Sequence, residues 1–275
     1  MRKGNNVGKV IVVTSGKGGV GKTTATANIG AGLASQGHSV VLIDTDIGLR
    51  NLDLVLGLEN RIVFDLVDVV EGKCRSFRQA SIKDKRFDNL SILASAQSRE
   101  KDAVKPEQMK KLCNELKDAF DFIILDCPAG IEMGFKNAIA GADEAIVVTN
   151  PEVSAVRDAD RIVGLLEAAE INTIRLILNR VKPGLIKRGQ MLSVNDVQDI
   201  LNIELLGQVP EDERIVHSSN KGEPAILDPR SKAGMAYRNV VARILDPAVP
   251  IVDPQTSIWS KLRRVLTADL GAQVG

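Results

Sequence analysis

Residues Gly16-Lys17-Gly18-Gly19-Val20-Gly21-Lys22-Thr23 fit the pattern G-x-x-x-x-G-K-[ST]. Residue types in that order suit one task, the holding of nucleotide phosphates. Glycines let successive backbone N–H groups turn inward around phosphate oxygens, and a helix opening directly after the loop adds its partial positive charge. Lys22 then reaches the β- and γ-phosphates, the Thr23 hydroxyl ligates Mg²⁺, and Thr24 counts as a further nucleotide-facing residue of the loop. Lys17 is a second lysine inside the loop. Its plain reading is a solvated charge; its functional reading is a cation delivered to a neighbouring subunit's nucleotide, as an arginine finger is.

Three carboxylates and a glycine stand where such a loop needs them. Asp126 closes the apolar run Phe122-Ile123-Ile124-Leu125, the arrangement in which a strand-end carboxylate holds Mg²⁺ or its water. Asp44 and Asp46 follow another apolar run at i, i+2, so both can face the same site, Asp44 near the metal and Asp46 near the attacking water. The competing reading of that pair is an ordinary turn. Gly130, in Asp126-Cys127-Pro128-Ala129-Gly130, is placed to offer a backbone N–H to the γ-phosphate.

This chemistry requires elements that bring the motifs to one edge. Short runs rich in Val, Ile and Leu at 10–14, 39–44, 90–94, 122–126, 145–149, 174–179 and 205–209 read as parallel strands buried on both faces. Helical patterns lie between them, among them 23–35, 107–119, 154–169 and 194–201. Strands alternating with helices predict an α/β fold, a doubly wound, mostly parallel sheet with helices on both faces, of the P-loop NTPase kind. Ligands of such sheets bind at the carboxyl ends of the strands, which is where the loop after Thr14, Asp44 to Asp46, Asp126 to Gly130 and Asn179 all fall.

Composition removes whole classes of function. The 275 residues carry 36 Lys plus Arg against 35 Asp plus Glu, and only 3% are aromatic. That balance argues against a chain coated in positive charge for nucleic acid and against a base-stacking platform, so no specific nucleic-acid partner is expected. No apolar run reaches the 18 residues of a membrane span, and Val10 to Val13 is too short for a signal peptide. Cys74, Cys113 and Cys127 are far apart and have no metal-ligand spacing, so they read as core thiols in a reducing cytosolic or organelle interior.

The globular pattern covers residues 1–246. A stiff, proline-rich tether follows at 247–254, and a tail at 255–275. In the tail Ile258, Trp259, Leu262, Val265 and Leu266 share one helical face, while Lys261, Arg263 and Arg264 occupy another. Such an amphipathic helix suits the headgroup layer of an anionic membrane surface. Its three cations contribute about 1 kcal/mol each, which makes one copy a weak anchor, whereas two copies on a dimer gain avidity of roughly 10²–10⁴. A helix packed on its own domain is the competing reading.

The sequence resembles the deviant Walker A ATPases, and more narrowly the MinD family of cell-division site-selection ATPases. The resemblance rests on Lys17 to Thr23, Asp44-Thr45-Asp46-Ile47-Gly48-Leu49-Arg50-Asn51-Leu52-Asp53, Asp126-Cys127-Pro128-Ala129-Gly130-Ile131-Glu132 and Asn150 to Arg161. It implies a slow, partner-stimulated ATPase with ATP and Mg²⁺, forming an ATP-dependent homodimer in which Lys17 contacts the partner's phosphates and Asp46 orients the hydrolytic water. It further implies that Asn179 and the Pro210-Glu211 loop help hold adenine, and that Glu152 lies near the dimer-facing nucleotide site. The partners it implies are a MinC-like inhibitor of FtsZ assembly and a MinE-like activator or other topological regulator, at the inner face of a membrane. A ParA-like DNA-partitioning ATPase shares the loop and carboxylates and is the alternative; an iron–sulfur assembly protein would need cysteines bridging a cluster.

Overall fold

The computed structural model describes residues 7–100 and 102–252, with Asn60 in backbone only. Eight strands form one sheet: β1 (Lys9–Thr14), β2 (Val40–Asp44), β3 (Ile82–Lys83), β4 (Leu90–Leu93), β5 (Phe122–Asp126), β6 (Glu144–Thr149), β7 (Thr173–Val181) and β8 (Glu204–Pro210). Their order is β3-β4-β2-β5-β1-β6-β7-β8. All pairs are parallel except β3 with β4.

The continuous apolar runs follow from burial on both faces. In β1, Val10 and Val12 pack with Val41, Ile43, Ile123 and Leu125 on one side, whereas Ile11 and Val13 pack with Val40, Leu42 and Ile124 on the other. Fully burying each such aliphatic side chain contributes about 1.5–3 kcal/mol, so neither face tolerates a polar alternation. Helices Pro106–Lys117, Val153–Ala168 and Val194–Leu201 cover the first face. Helices Lys22–Ser35 and Lys232–Leu245 cover the second.

The direction in which successive strands are added to the sheet reverses beside β1. The crossover after β1 leads past β5 to β2, and the crossover after β5 leads back past β1 to β6. A crevice opens at the carboxyl ends of strands where the winding changes sense, and the glycine loop, Asp44 and Asp126 all stand at it.

The seven expected strands all form. The eighth, β3, is a two-residue antiparallel edge too short to leave a pattern. β7 runs past Asn179 to Val181, with register shifts against β8. Beyond the last helix, the proline-rich segment does not swing free over residues 247–252. Asn239 donates to the Pro250 carbonyl at 3.0 Å and accepts from the Val252 N–H at 3.1 Å, and Arg243 reaches the carbonyls of Pro247 and Val249. Asp253, Pro254 and the amphipathic segment from Ile258 to Leu266 lie outside the described residues. Among the described residues, no helix is long and apolar enough to cross a membrane.

Candidate functional site

The glycine loop is shaped from both ends. Gly21 adopts φ 103° and caps helix Lys22–Ser35 without any side-chain hydrogen bond, and no acidic residue occupies the first turn. The first N–H groups of that helix, which lack carbonyl partners in any helix, are thereby left for an anion. A Cβ on Gly21 would overlap the Asn179 amide, whose Nδ2 donates to the Val20 carbonyl at 2.7 Å. At the other end, Gly16 lies flat against the backbone of Asp158 in helix Val153–Ala168, where any Cβ would clash. Lys22 is buried, while Lys17 is exposed and donates from Nζ to the Ser154 hydroxyl at 3.5 Å.

The carboxylates converge. Asp44 and Asp126 end adjacent strands in direct register and are 1% and 2% exposed. Burial raises the Asp126 pKa, and the Asp44 charge raises it further, against hydrogen bonds from Thr23 and Thr26 and the charge of Lys22. Burial likewise raises Asp44, although its oxygens accept N–H bonds from Asp46, Asn51 and Leu52 at 2.9, 3.0 and 3.1 Å. Two buried carboxylates side by side repel each other, and a divalent cation would relieve that repulsion. Thr26 donates to Asp126 Oδ1 at 3.2 Å, and the Thr23 hydroxyl lies near enough to lower the Asp126 pKa, which fits Thr23 and Asp126 to share Mg²⁺. Among the described residues no group of three or more His, Cys, Asp or Glu could hold a metal. The site is thus no closed cage, and Mg²⁺ is commonly held by one or two carboxylates with waters and substrate phosphates.

Asp46 follows on the same turn, half-buried, at the mouth of a small recess shared with Pro128, Ala129 and Glu132. Gly130 adopts φ 90°, and its N–H donates to the Ser15 carbonyl at 3.3 Å, so offering it to a phosphate requires exchanging that bond. Glu152 is exposed at the start of helix Val153–Ala168. Gly18, Gly19 and Val20 complete the loop, with only Val20 buried.

Beside the loop lies a cleft of about 580 Å³, lined by Gly21, Thr24, Asn179, Pro210 and Glu211, the last three being the residues the family resemblance assigns to adenine. Glu211 pairs with Lys182 at 2.7 Å. Sequence reasoning missed the rest of the wall, which includes Arg180, Asp212, Val216 and Tyr237. Arg180 takes φ 54°, a left-handed conformation costly for a non-glycine residue. It sits at the β7 register shift that delivers Asn179 to the loop. Asp212 accepts from the Ser231 hydroxyl and from the Arg214 and Ala233 N–H groups, tying the loop after β8 to the start of helix Lys232–Leu245. Its position directly after Pro210-Glu211 was the one available signal.

The cysteines do not suit a bridging cluster. Cys113 and Cys127 are buried, and burial pushes each thiol up to about 12; Cys74 is half-buried rather than in the core proper.

Comparison with known proteins agrees with this geometry. The model of the ParA family, described as NUBPL iron-transfer P-loop NTPase, matches residues 6–245. The septum site-determining protein MinD of Bacillus subtilis is 56% identical over 247 residues, covering 89% of this chain and 92% of that one. The MinC:MinD cell division protein complex of Aquifex aeolicus contains a chain 47% identical, with a TM-score of 0.83, covering 89% of this chain and 99% of that one. MinD of Pyrococcus horikoshii complexed with Mg-ADP is 33% identical with a TM-score of 0.79, covering 87% of this chain and 97% of that one. The chain belongs to the MinD family of septum site-determining proteins, P-loop ATPases that work with ATP and Mg²⁺.

Proposed function

We propose that this ATPase is a membrane switch that places the division site: with ATP it forms a homodimer, attaches to an anionic membrane through the 255–275 tail, and holds a MinC-like inhibitor of FtsZ assembly. The adenosine lies in the cleft between Gly21 and Pro210, the phosphates on the loop and Lys22, and Mg²⁺ at Thr23, Asp126 and Asp44, where it offsets phosphate charge. Asp46 orients the attacking water. The similarity to a MinC:MinD complex supports the inhibitor as partner, and a MinE-like activator or other topological regulator would speed release. The work site is the inner face of a membrane, in cytoplasm or plastid stroma.

The observation that carries the dimer is Lys17. It stands exposed on the outer side of a loop whose inner lysine is buried, and exposed apolar side chains, Leu49, Ile131, Met133 and Val153, lie on the segments around the same end of the sheet. A cation so placed serves a partner's phosphates better than its own. Light scattering coupled to gel filtration tests this. The Asp46→Ala variant with Mg-ATP should run as a dimer, and adding Lys17→Ala should return it to monomer; a dimer that survives loss of Lys17 overturns the role.

A further inference from the structure

Tyr237 is the only tyrosine in the chain. It is fully buried on helix Lys232–Leu245 and lines the cleft together with Gly21, Thr24, Asn179 and Arg180. Its hydroxyl has no hydrogen-bond partner among the described residues. Buried tyrosine hydroxyls usually find a partner, and one left without pays a desolvation cost that a phenylalanine of the same shape would avoid. Burial raises the phenol's pKa against the opposing charge of Arg180, so the hydroxyl is protonated at neutral pH and can donate. Asn179, on the same wall, already gives one of its two Nδ2 N–H groups to the Val20 carbonyl.

We propose that Tyr237 is a nucleoside-positioning residue, whose buried hydroxyl completes its hydrogen bonding on the sugar–base portion of the nucleotide in this cleft. The inference rests on the placement of adenosine there. Gly21 and Thr24 belong to the phosphate loop and Pro210 and Glu211 to the end of β8 and the loop after it, and Tyr237 lines the cleft they share, the one assigned above to adenosine. A side chain kept for volume alone would have no use for the hydroxyl.

The test is Tyr237→Phe in the full chain, measured without nucleotide by thermal melting and with Mg-ADP and Mg-pyrophosphate by calorimetry. Without nucleotide the variant should melt at or above the wild-type temperature, because an unsatisfied group has been removed. Affinity for ADP should fall about three- to tenfold, the worth of one hydrogen bond, while affinity for pyrophosphate, which lacks the nucleoside, stays unchanged. ADP affinity within twofold of wild type overturns the proposal, as does an equal loss for ADP and pyrophosphate, which marks a distorted loop. If the wild-type protein binds ADP no more tightly than pyrophosphate, the adenosine placement itself fails, an outcome separate from an unchanged variant of a protein that binds ADP well.

Discussion

Replacing Asn179 with alanine isolates the joint between β7 and the phosphate loop. The Asn179 amide is 7% exposed and holds the Val20 carbonyl at 2.7 Å. Truncation strands that buried carbonyl, and an unsatisfied buried acceptor costs about 1–3 kcal/mol. At about 2–4 °C per kcal/mol for a domain of this size, a mid-range loss of about 2 kcal/mol lowers the unliganded melting temperature by roughly 4–8 °C. A loop freed at Val20 also loses the arrangement of N–H groups that Gly21 completes, so ADP affinity should drop more than tenfold, a larger effect than one lost base contact gives. Thermal melting without nucleotide and calorimetry with Mg-ADP measure the two parts separately. Asn179→Asp, which keeps the volume but sets an acceptor against the carbonyl, should be no better than alanine. A variant that melts within 1 °C of wild type and binds ADP within twofold would refute the claim that this bond shapes the loop.

Three further expectations follow from the same geometry. Burial alone would raise the Asp212 pKa, but its bonds from Ser231, Ala233 and Arg214 outweigh that and hold the carboxyl below its ordinary value. Its contribution to stability is therefore present above the unfolded-state pKa, near 4, and is lost as pH falls through the lower folded value; the gap in melting temperature between wild type and Asp212→Asn should be widest above about pH 5 and narrow progressively below about pH 4. Lys22→Ala should abolish Mg-ATP binding measured by calorimetry, whereas Asp46→Ala should retain it and slow turnover by at least 100-fold in a phosphate-release assay; normal turnover removes Asp46 from its role.

What the sequence shows of this site is its contiguous part. The loop from Gly16 to Thr23, the pair Asp44 and Asp46, and Asp126 each sit at the end of a strand whose unbroken Val, Ile and Leu run follows from burial on both faces, so strand, loop and carboxylate announce one another. The second wall of the cleft is assembled from distant segments and has no such signal. A left-handed Arg180 at a register shift leaves no trace in composition, and helix Lys232–Leu245 hides its face because Arg238, Asn239 and Arg243 are buried on it beside apolar neighbours. Those same polar residues explain the other surprise, the fixed course of residues 247–252. A segment read as a tether from its prolines is held by hydrogen bonds from Asn239 and Arg243, partners that only the folded helix brings within reach.

The tail that follows this segment in the sequence is where the central claim is most directly tested. Co-sedimentation with liposomes containing anionic lipid should be measured with Mg-ATP and with Mg-ADP, for the intact chain and for one ending at Asp253. The account predicts that the intact chain with ATP sediments and that the other three samples stay largely in solution, because two weak anchors on one dimer bind where a single anchor does not. Equal sedimentation of all four samples would contradict it.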